Sequence, residues 1–492
     1  MQLKQDKSDI QRKHLAVLIE SYIQRTPRSK QLAQQNRAIL ADKSSIGFSF
    51  SPELKEICYP IAAEHSKGSR LWDIDGNEYI DILMGLGINL FGHNPPFIQK
   101  AIIEQLEKGI HIGTQTELAG EVAQLVSELT GMERVTFSNT GTEAIMTAIR
   151  IARAATNRNK IVIFTNSYHG HSDQTLMRAT LTEYAKKAVN RIIERKNWLK
   201  NLTRPLQTTF NSNLNPRAVP AAMGIPANLA QDVLVLDYGN EQSLEVIKAY
   251  QNEIAAVLVE PVQSRCPELQ PKEFLQKLRQ ITQESGIVLI FDEMVTGFRI
   301  QAGGAQAWFD IKADLVTYSK IVGGGLPMSI IAGKNKYIDR IDGGLWNFGD
   351  QSVPSVKTTF FAGTFCKHPL SLATAKAVLQ EIKEQGTNLY DQLNQRTAQL
   401  VKQLNNCMEQ DSIPIRFTHF GSFFAIAASQ STVSGMALTL LSYHLLNRGI
   451  HLRIGDKGGF LSTAHSAQDI EYIIQSFRDS AKELQTAGLI ST

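Results

Sequence analysis

Two polar residues at the ends of short apolar runs carry the most legible chemistry in this 492-residue chain. Asp292 closes Val288-Leu289-Ile290-Phe291-Asp292, and Lys320 stands in Thr317-Tyr318-Ser319-Lys320-Ile321-Val322, just before Gly323-Gly324-Gly325. Apolar runs of this length form buried strands, so both side chains are expected at strand ends. A lysine and a carboxylate so placed suit pyridoxal phosphate. The amine forms a Schiff base with the aldehyde, and the carboxylate keeps the pyridine nitrogen protonated. A buried carboxylate needs a cationic or hydrogen-bonding partner. At an effective dielectric near 20, its attraction to a pyridinium a few ångströms away is about 4 kcal/mol. That attraction raises the ring nitrogen's pKa and keeps the ring an electron sink. The competing role for Asp292 is to cap a helix. Lys320, once displaced by a substrate amine, becomes the base that moves a proton between Cα and C4′. Lysine suits this because its pKa falls readily on burial. The glycines after it allow a tight turn; neither GxxxxGK[ST] nor GxGxxG is present.

Three further segments belong to the same chemistry. Ser138-Asn139-Thr140-Gly141-Thr142-Glu143-Ala144 joins an expected strand to a helix whose buried stripe is Ile145, Ala148, Ile149, Ala152 and Ala155. Small residues such as Gly141 and Thr142 let backbone N–H groups approach a phosphate at the helix start, where the dipole adds about 0.3–1 kcal/mol. The alternative is an ordinary helix capped by Thr140 or Thr142. In Tyr168-His169-Gly170-His171 the aromatic ring can stack on a cofactor ring. A metal pair at His169 and His171 lacks a third ligand at suitable spacing. In Glu260-Pro261-Val262-Gln263, Gln263 can donate to a phenolate oxygen or stand in a solvated loop.

The elements that must position these residues alternate. From about residue 115 to 340, strand-like runs (134–137, 161–164, 233–236, 255–259, 287–291 and 314–317) interleave with helical segments. This predicts an α/β domain with a mostly parallel sheet, in which ligands bind beyond the C-terminal strand ends. Asn139, His169, Glu260, Asp292 and Lys320 all fall there. We divide the chain into an N-terminal helical extension (1–50), a segment contributing to a small domain (51–114), a large cofactor-binding domain (115–365) and a C-terminal small α+β domain (366–492). Leu15, Leu18, Ile19 and Tyr22 form one apolar face in the extension, read as a packing helix. Asp75-Gly76 sits between alternating apolar residues and predicts a hairpin over 71–82. Residues 174–222, basic and then Asn- and Pro-rich, interrupt the rhythm as a lid-like insertion or a surface loop.

Composition narrows the function classes. At 43% apolar and 20% charged, the chain has the make-up of a globular enzyme. A net charge of +4, dispersed, indicates neither nucleic acid nor an anionic membrane as partner. No apolar run of about 18 residues suggests a membrane span. Met1 to Lys7 is polar, without a signal-peptide core. The four cysteines, Cys58, Cys266, Cys366 and Cys407, are far apart and contain no CxxC, so a reducing cytoplasm is expected.

In order, Gly141-Thr142-Glu143-Ala144, Tyr168-His169-Gly170-His171, Glu260-Pro261-Val262, Asp292-Glu293-Met294-Val295-Thr296-Gly297-Phe298-Arg299 and Ser319-Lys320 resemble the class III aminotransferases, which are fold-type I pyridoxal phosphate enzymes. The likeness spans about residues 50 to 485. It implies a homodimer with active sites at the interface, Lys320 as the Schiff-base lysine and Asp292 on the pyridine nitrogen. It also implies Gly141 and Thr142 on the phosphate, Tyr168 stacked on the ring, Met294 on the opposite face and Gln263 near O3′. Gly363-Thr364 matches the segment whose threonine, here Thr364, reaches the phosphate of the neighbouring subunit.

Two subgroups compete. Gly170-His171-Ser172-Asp173, Thr296–Arg299 and Phe460-Leu461-Ser462-Thr463-Ala464-His465 resemble glutamate-1-semialdehyde aminomutase, although the glutamate usual three residues before that phenylalanine is Lys457 here. Trp346–Asp350 and Thr359–Pro369 are similar to aminotransferase domains of polyketide and nonribosomal peptide assembly lines. From these we expect a transaminase of natural-product biosynthesis. It would take nitrogen from an amino acid donor such as glutamate and pass it to a carbonyl acceptor, free or held on an acyl carrier protein. The aminomutase is the alternative. A cofactor-binding regulator is disfavoured because the 50-residue head is too short and too balanced in charge for a DNA-binding module.

Overall fold

The computed structural model describes residues 2–43, 50–180 and 218–490. They form two units: 1–108 with 266–268 and 384–492, and 109–265 with 269–383. The second unit is built on a seven-stranded sheet. Its strands in chain order are β1 (Arg134–Ser138), β2 (Lys160–Phe164), β3 (Val233–Leu236), β4 (Ile254–Val259), β5 (Val288–Asp292), β6 (Leu315–Tyr318) and β7 (Ser329–Gly333). The spatial order is β1-β7-β6-β5-β4-β2-β3. Neighbours from β6 through β5, β4 and β2 to β3 are parallel. β7 runs antiparallel between β6 and β1.

The central strands are Val-, Ile- and Leu-rich because both faces of a mostly parallel sheet are covered. All six residues of β4 and all five of β5 are buried. The helix Gly141–Thr156 lays Ala144, Ile145, Ala148, Ile149 and Ala152 into this core, with Ala155 partly buried. Six of the seven strands stand where the apolar runs predict, within a residue or so. β7, Ser-Ile-Ile-Ala-Gly directly after the Lys320 turn, has an apolar run of only three residues, too short to stand out.

The other unit holds a four-stranded and a three-stranded sheet. The expected hairpin is present: Arg70–Asp73 pairs with Glu78–Asp81, Gly76 takes φ +85°, and Asp73 Oδ1 accepts from the amides of Asp75 and Asn77. The N-terminal helix Gln2–Arg25 belongs to this unit. Its apolar face buries Leu18 and Tyr22, and the Tyr22 ring meets those of Tyr59 and Tyr443 at 5.4 and 5.1 Å. The later boundary, at 383/384 where we expected 365/366, falls inside the long helix Pro369–Gln410. That helix is interrupted nearby at Gly386 (φ +59°, ψ −142°).

The insertion read at 174–222 lies mostly outside the described residues. Its ends are described: Met177–Ala179 pairs antiparallel with Ala218–Pro220. Among the described residues, no helix is long and apolar enough to cross a membrane.

Candidate active site

The C-terminal ends of the parallel strands gather the predicted residues of the large unit. Asp292, the last residue of β5, is 3% exposed. Its Oδ1 accepts from the amide of Met294 at 3.1 Å, and its Oδ2 accepts from His169 Nδ1 at 2.7 Å. His169 comes from the turn after β2 and is equally buried. Because an ionised carboxylate only accepts, Nδ1 carries the proton. We weighed His169 as a metal ligand from the sequence; the structure instead makes it the partner of Asp292. His171 points to solvent, and only its amide is engaged, with Thr142 Oγ1 at 3.2 Å. No cluster of three His, Cys, Asp or Glu suited to a metal occurs among the described residues.

Lys320 opens a short 3-10 turn after β6 and takes φ +51°. Holding a side-chain-bearing residue in the left-handed region costs on the order of 1–3 kcal/mol, and such strain clusters at functional sites. Burial lowers the Lys320 pKa, as does the Arg299 guanidinium, while the charges of Asp292 and Glu260 oppose the shift. A neutral amine is the form that attacks an aldehyde. The glycines beyond it turn the chain, with Gly324 at φ +58° and Gly325 at φ +99°.

The helix Gly141–Thr156 begins beside these residues. Thr140 is its N-cap, its hydroxyl accepting from the Glu143 amide at 3.2 Å. The cap and phosphate-cup readings are therefore compatible, since Thr140 caps while the Thr142 hydroxyl, which accepts from the His171 amide, keeps its own proton to donate. A side chain at Gly141 would meet Met294 Sδ at 3.0 Å, and one at Gly170 (φ +81°) would clash with Thr142 Oγ1. These two glycines keep the cradle open and bring Met294, the helix start and the Tyr168 loop together.

Glu260 and Gln263 staple the turns after β4 and β2. Glu260 Oε2 accepts from the Tyr168 amide at 2.9 Å, and its Oε1 accepts from Ser264 Oγ at 3.2 Å. Burial raises the Glu260 pKa, the His169 ring opposes that shift, and the Asp292 charge adds to it. Gln263 Nε2 donates to the Thr165 carbonyl at 2.8 Å, so one of its two N–H groups is committed to the backbone. Tyr168 is half exposed, and the Arg265 guanidinium lies 5.6 Å from its ring centroid. Thr364 lies exposed in the turn 364–367 and makes no hydrogen bond to this cluster among the described residues.

The donor set fits pyridoxal phosphate. It offers an amine of lowered pKa, a buried carboxylate held by two hydrogen bonds, an aromatic face, and a hydroxyl with free N–H groups at a helix start. Sequence reasoning missed the His169–Asp292 bond, the Glu260 staple and Arg265. Position after a strand was the available signal for the first two, and nothing in the sequence marked the third.

A mostly parallel sheet with a buried acid and a half-buried lysine of lowered pKa at its strand ends defines a pyridoxal phosphate-type transferase. The class-III aminotransferase family model matches residues 52–466, and the chain belongs to that family. A glutamate-1-semialdehyde 2,1-aminomutase of Alkaliphilus oremlandii (strain OhILAs) is 32% identical over 440 residues, covering 87% of this chain and 92% of the relative. An omega-transaminase structure from Sphaerobacter thermophilus is 26% identical with a TM-score of 0.77, covering 93% of this chain and 98% of that one. The fold is shared with a glutamate-1-semialdehyde aminomutase structure from Pseudomonas aeruginosa PAO1 (22% identity, TM-score 0.78, 97% of this chain and 99% of that one).

Proposed function

We propose that this enzyme holds pyridoxal phosphate and acts as an aminomutase of the glutamate-1-semialdehyde type, moving nitrogen between neighbouring carbons of one small acidic substrate. The observation that carries the reading is the length over which relatives of that name match, 76% of the chain or more at 32–35% identity. This reverses the order we expected from sequence, where Lys457 weighed against the mutase. The relatives support the alternative better than the assembly-line role.

Pyridoxal phosphate supplies an aldehyde that condenses with amines and a ring that withdraws electrons. This chain's residues do the rest. Asp292, fixed by His169 and the Met294 amide, would hold a protonated ring nitrogen. Lys320 Nζ would take and return the proton at the substrate carbon that bears nitrogen. Thr142 and the amides at the helix start would receive the phosphate. Tyr168 and Met294 would pack the ring, and Gln263 would offer its remaining N–H to the phenolate oxygen. A homodimer belongs to this proposal, with Thr364 serving the neighbouring subunit. In its support, Leu345, Phe348 and Phe360 are 78%, 92% and 75% exposed in the large unit and need covering.

Conversion of glutamate-1-semialdehyde to 5-aminolevulinate by the purified holoenzyme, without added donor or acceptor, tests the reading. Loss of that conversion in Lys320→Ala is expected alongside. A second reading rests on Lys457 and on the Trp346–Pro369 segment: amination of a carbonyl intermediate of natural-product biosynthesis, free or carrier-bound, from an external amino acid. In its favour would count stoichiometric conversion of the cofactor to its amine form by glutamate, with release of 2-oxoglutarate and no 5-aminolevulinate from the semialdehyde.

A further inference from the structure

We propose that Arg265 is the specificity residue that receives the carboxylate of the substrate, held in place by the Glu260 staple. The inference rests on the amino-group chemistry proposed above and adds the recognition of substrate charge.

Arg265 follows β4 by six residues in a turn that has little freedom. Ser264, its neighbour, gives both its hydroxyl and its amide to Glu260 Oε1, at 3.2 and 3.4 Å. The other oxygen of the same carboxylate holds the Tyr168 amide. Gln263 ties the turn to the Thr165 carbonyl, and the Tyr238 hydroxyl donates to the Pro261 carbonyl at 2.6 Å. Two turns from neighbouring strands are thus locked together, and the guanidinium of one lies over the aromatic ring of the other.

The charge of Arg265 is unspent. In the same unit Arg134 is paired with Asp339 and Asp342, and Arg279 with Asp314. Arg299 is 1% exposed. Arg265 is exposed and makes no ion pair among the described residues. A guanidinium over a ring keeps its N–H groups free around its edge, where they match a carboxylate two at a time. The need for such a cation is physical. Asp292 and Glu260 are buried at this end of the sheet and both act on the Lys320 amine, so an anionic substrate meets carboxylates there. A fixed positive group beside the cofactor-stacking ring offsets that repulsion and selects acidic substrates over neutral ones.

The test uses holoenzyme and two independent readouts. Calorimetry measures binding of glutarate to wild type, Arg265→Ala and Arg265→Lys. The half-reaction measures selectivity for 4-aminobutyrate over butylamine, an amine of equal length without the carboxylate. Arg265→Ala is expected to weaken glutarate binding about ten- to hundredfold, the range for losing a hydrogen bond to a charged group. Selectivity should fall by a similar factor, while the bound cofactor's absorbance and the Tm stay unchanged. Arg265→Lys should recover part of the affinity. Unchanged glutarate affinity in Arg265→Ala, or no binding to wild type, overturns the proposal even if the enzyme makes 5-aminolevulinate. Arg265-dependent binding in a protein that makes none would uphold Arg265 and overturn the mutase reading instead.

Discussion

His169 Nδ1 and Asp292 Oδ2 stand 2.7 Å apart with both side chains closed to solvent, so the acid of this site is held by an imidazole as well as by backbone. The pair spans strands β2 and β5, which are separated in the sheet by β4. A long side chain therefore reaches across one strand to fix a carboxylate. His169→Phe removes a donor from a buried acceptor, a loss of about 1–3 kcal/mol. We expect a lower Tm for the holoenzyme and a shifted cofactor absorbance band as Asp292 turns. His169→Asn, whose amide can stand near the Nδ1 position, should restore part of both. Equal Tm and spectrum in His169→Phe and wild type would show that the Met294 amide alone fixes the carboxylate.

Lys320 gives a pH-dependent signature in the cofactor-free protein. Its pKa is lowered, chiefly by burial, so over the window from the folded pKa up to 10.5 the unfolded chain binds more protons than the native one. Stability then rises with pH across that window, and the penalty of a buried ammonium is full below it. Lys320→Met should therefore be more stable than wild-type apoprotein at pH 7, with the gap narrowing by pH 9.5. Thermal unfolding at the two pH values measures this. A gap that widens with pH contradicts the assigned direction.

Glu293 behaves with the opposite slope. Burial pushes its pKa to about 7, against the opposing pull of hydrogen bonds from the Gln306 and Ala305 amides and the Thr296 hydroxyl. The native state therefore retains a proton that the unfolded chain loses above pH 4.5, and stability from this group falls as pH rises from 4.5 through about 7. The full loss is about 3 kcal/mol. Glu293→Gln sacrifices one acceptor for the start of helix Gly304–Phe309 and should be the less stable protein at pH 5. It lacks the titration, so the difference should shrink or reverse by pH 8 in urea unfolding.

The large unit's strands were legible because a buried parallel strand is written as an unbroken apolar run, as in Ile254–Val259 and Val288–Asp292. Asp292 and Lys320 stood out as polar residues closing such runs. What the sequence could not convey was pairing across it. Nothing in Tyr168-His169-Gly170 says that the ring turns inward to Asp292, over a hundred residues later. Nor does Glu260 announce that its two oxygens serve two different turns. The subgroup ranking rested on Lys457 and on the Trp346–Asp350 and Thr359–Pro369 segments, and the relatives support the aminomutase alternative better; the Lys457 carbonyl accepts from the Ile426 amide. A reversed charge at one site weighs little against a match over most of the chain.

The N-terminal helix supplies the last prediction. His14 Nε2 and His444 Nε2 are 3.0 Å apart, and His444 Nδ1 lies 3.0 Å from Glu483, which also holds Arg448. With its proton on Nδ1 toward Glu483, neutral His444 presents a lone pair to the N–H of His14. Protonating His444 would set two N–H groups against each other. Burial, His14 and Arg448 accordingly push the His444 pKa down to about 3. His14 is also lowered, by burial, with Glu483 opposing. Both histidines bind protons more readily once the helix is released or the chain unfolded, so docking is fully supported above pH 6.5 and weakens as pH falls below it. Hydrogen exchange over residues 9–25, corrected for the intrinsic rate, should show protection at pH 7.5 that drops at pH 5 while the large-unit strands stay protected. His444→Gln keeps a donor for Glu483 but cannot titrate, and its protection should change much less between the two pH values. An equal drop in that variant would place the pH response in some other group.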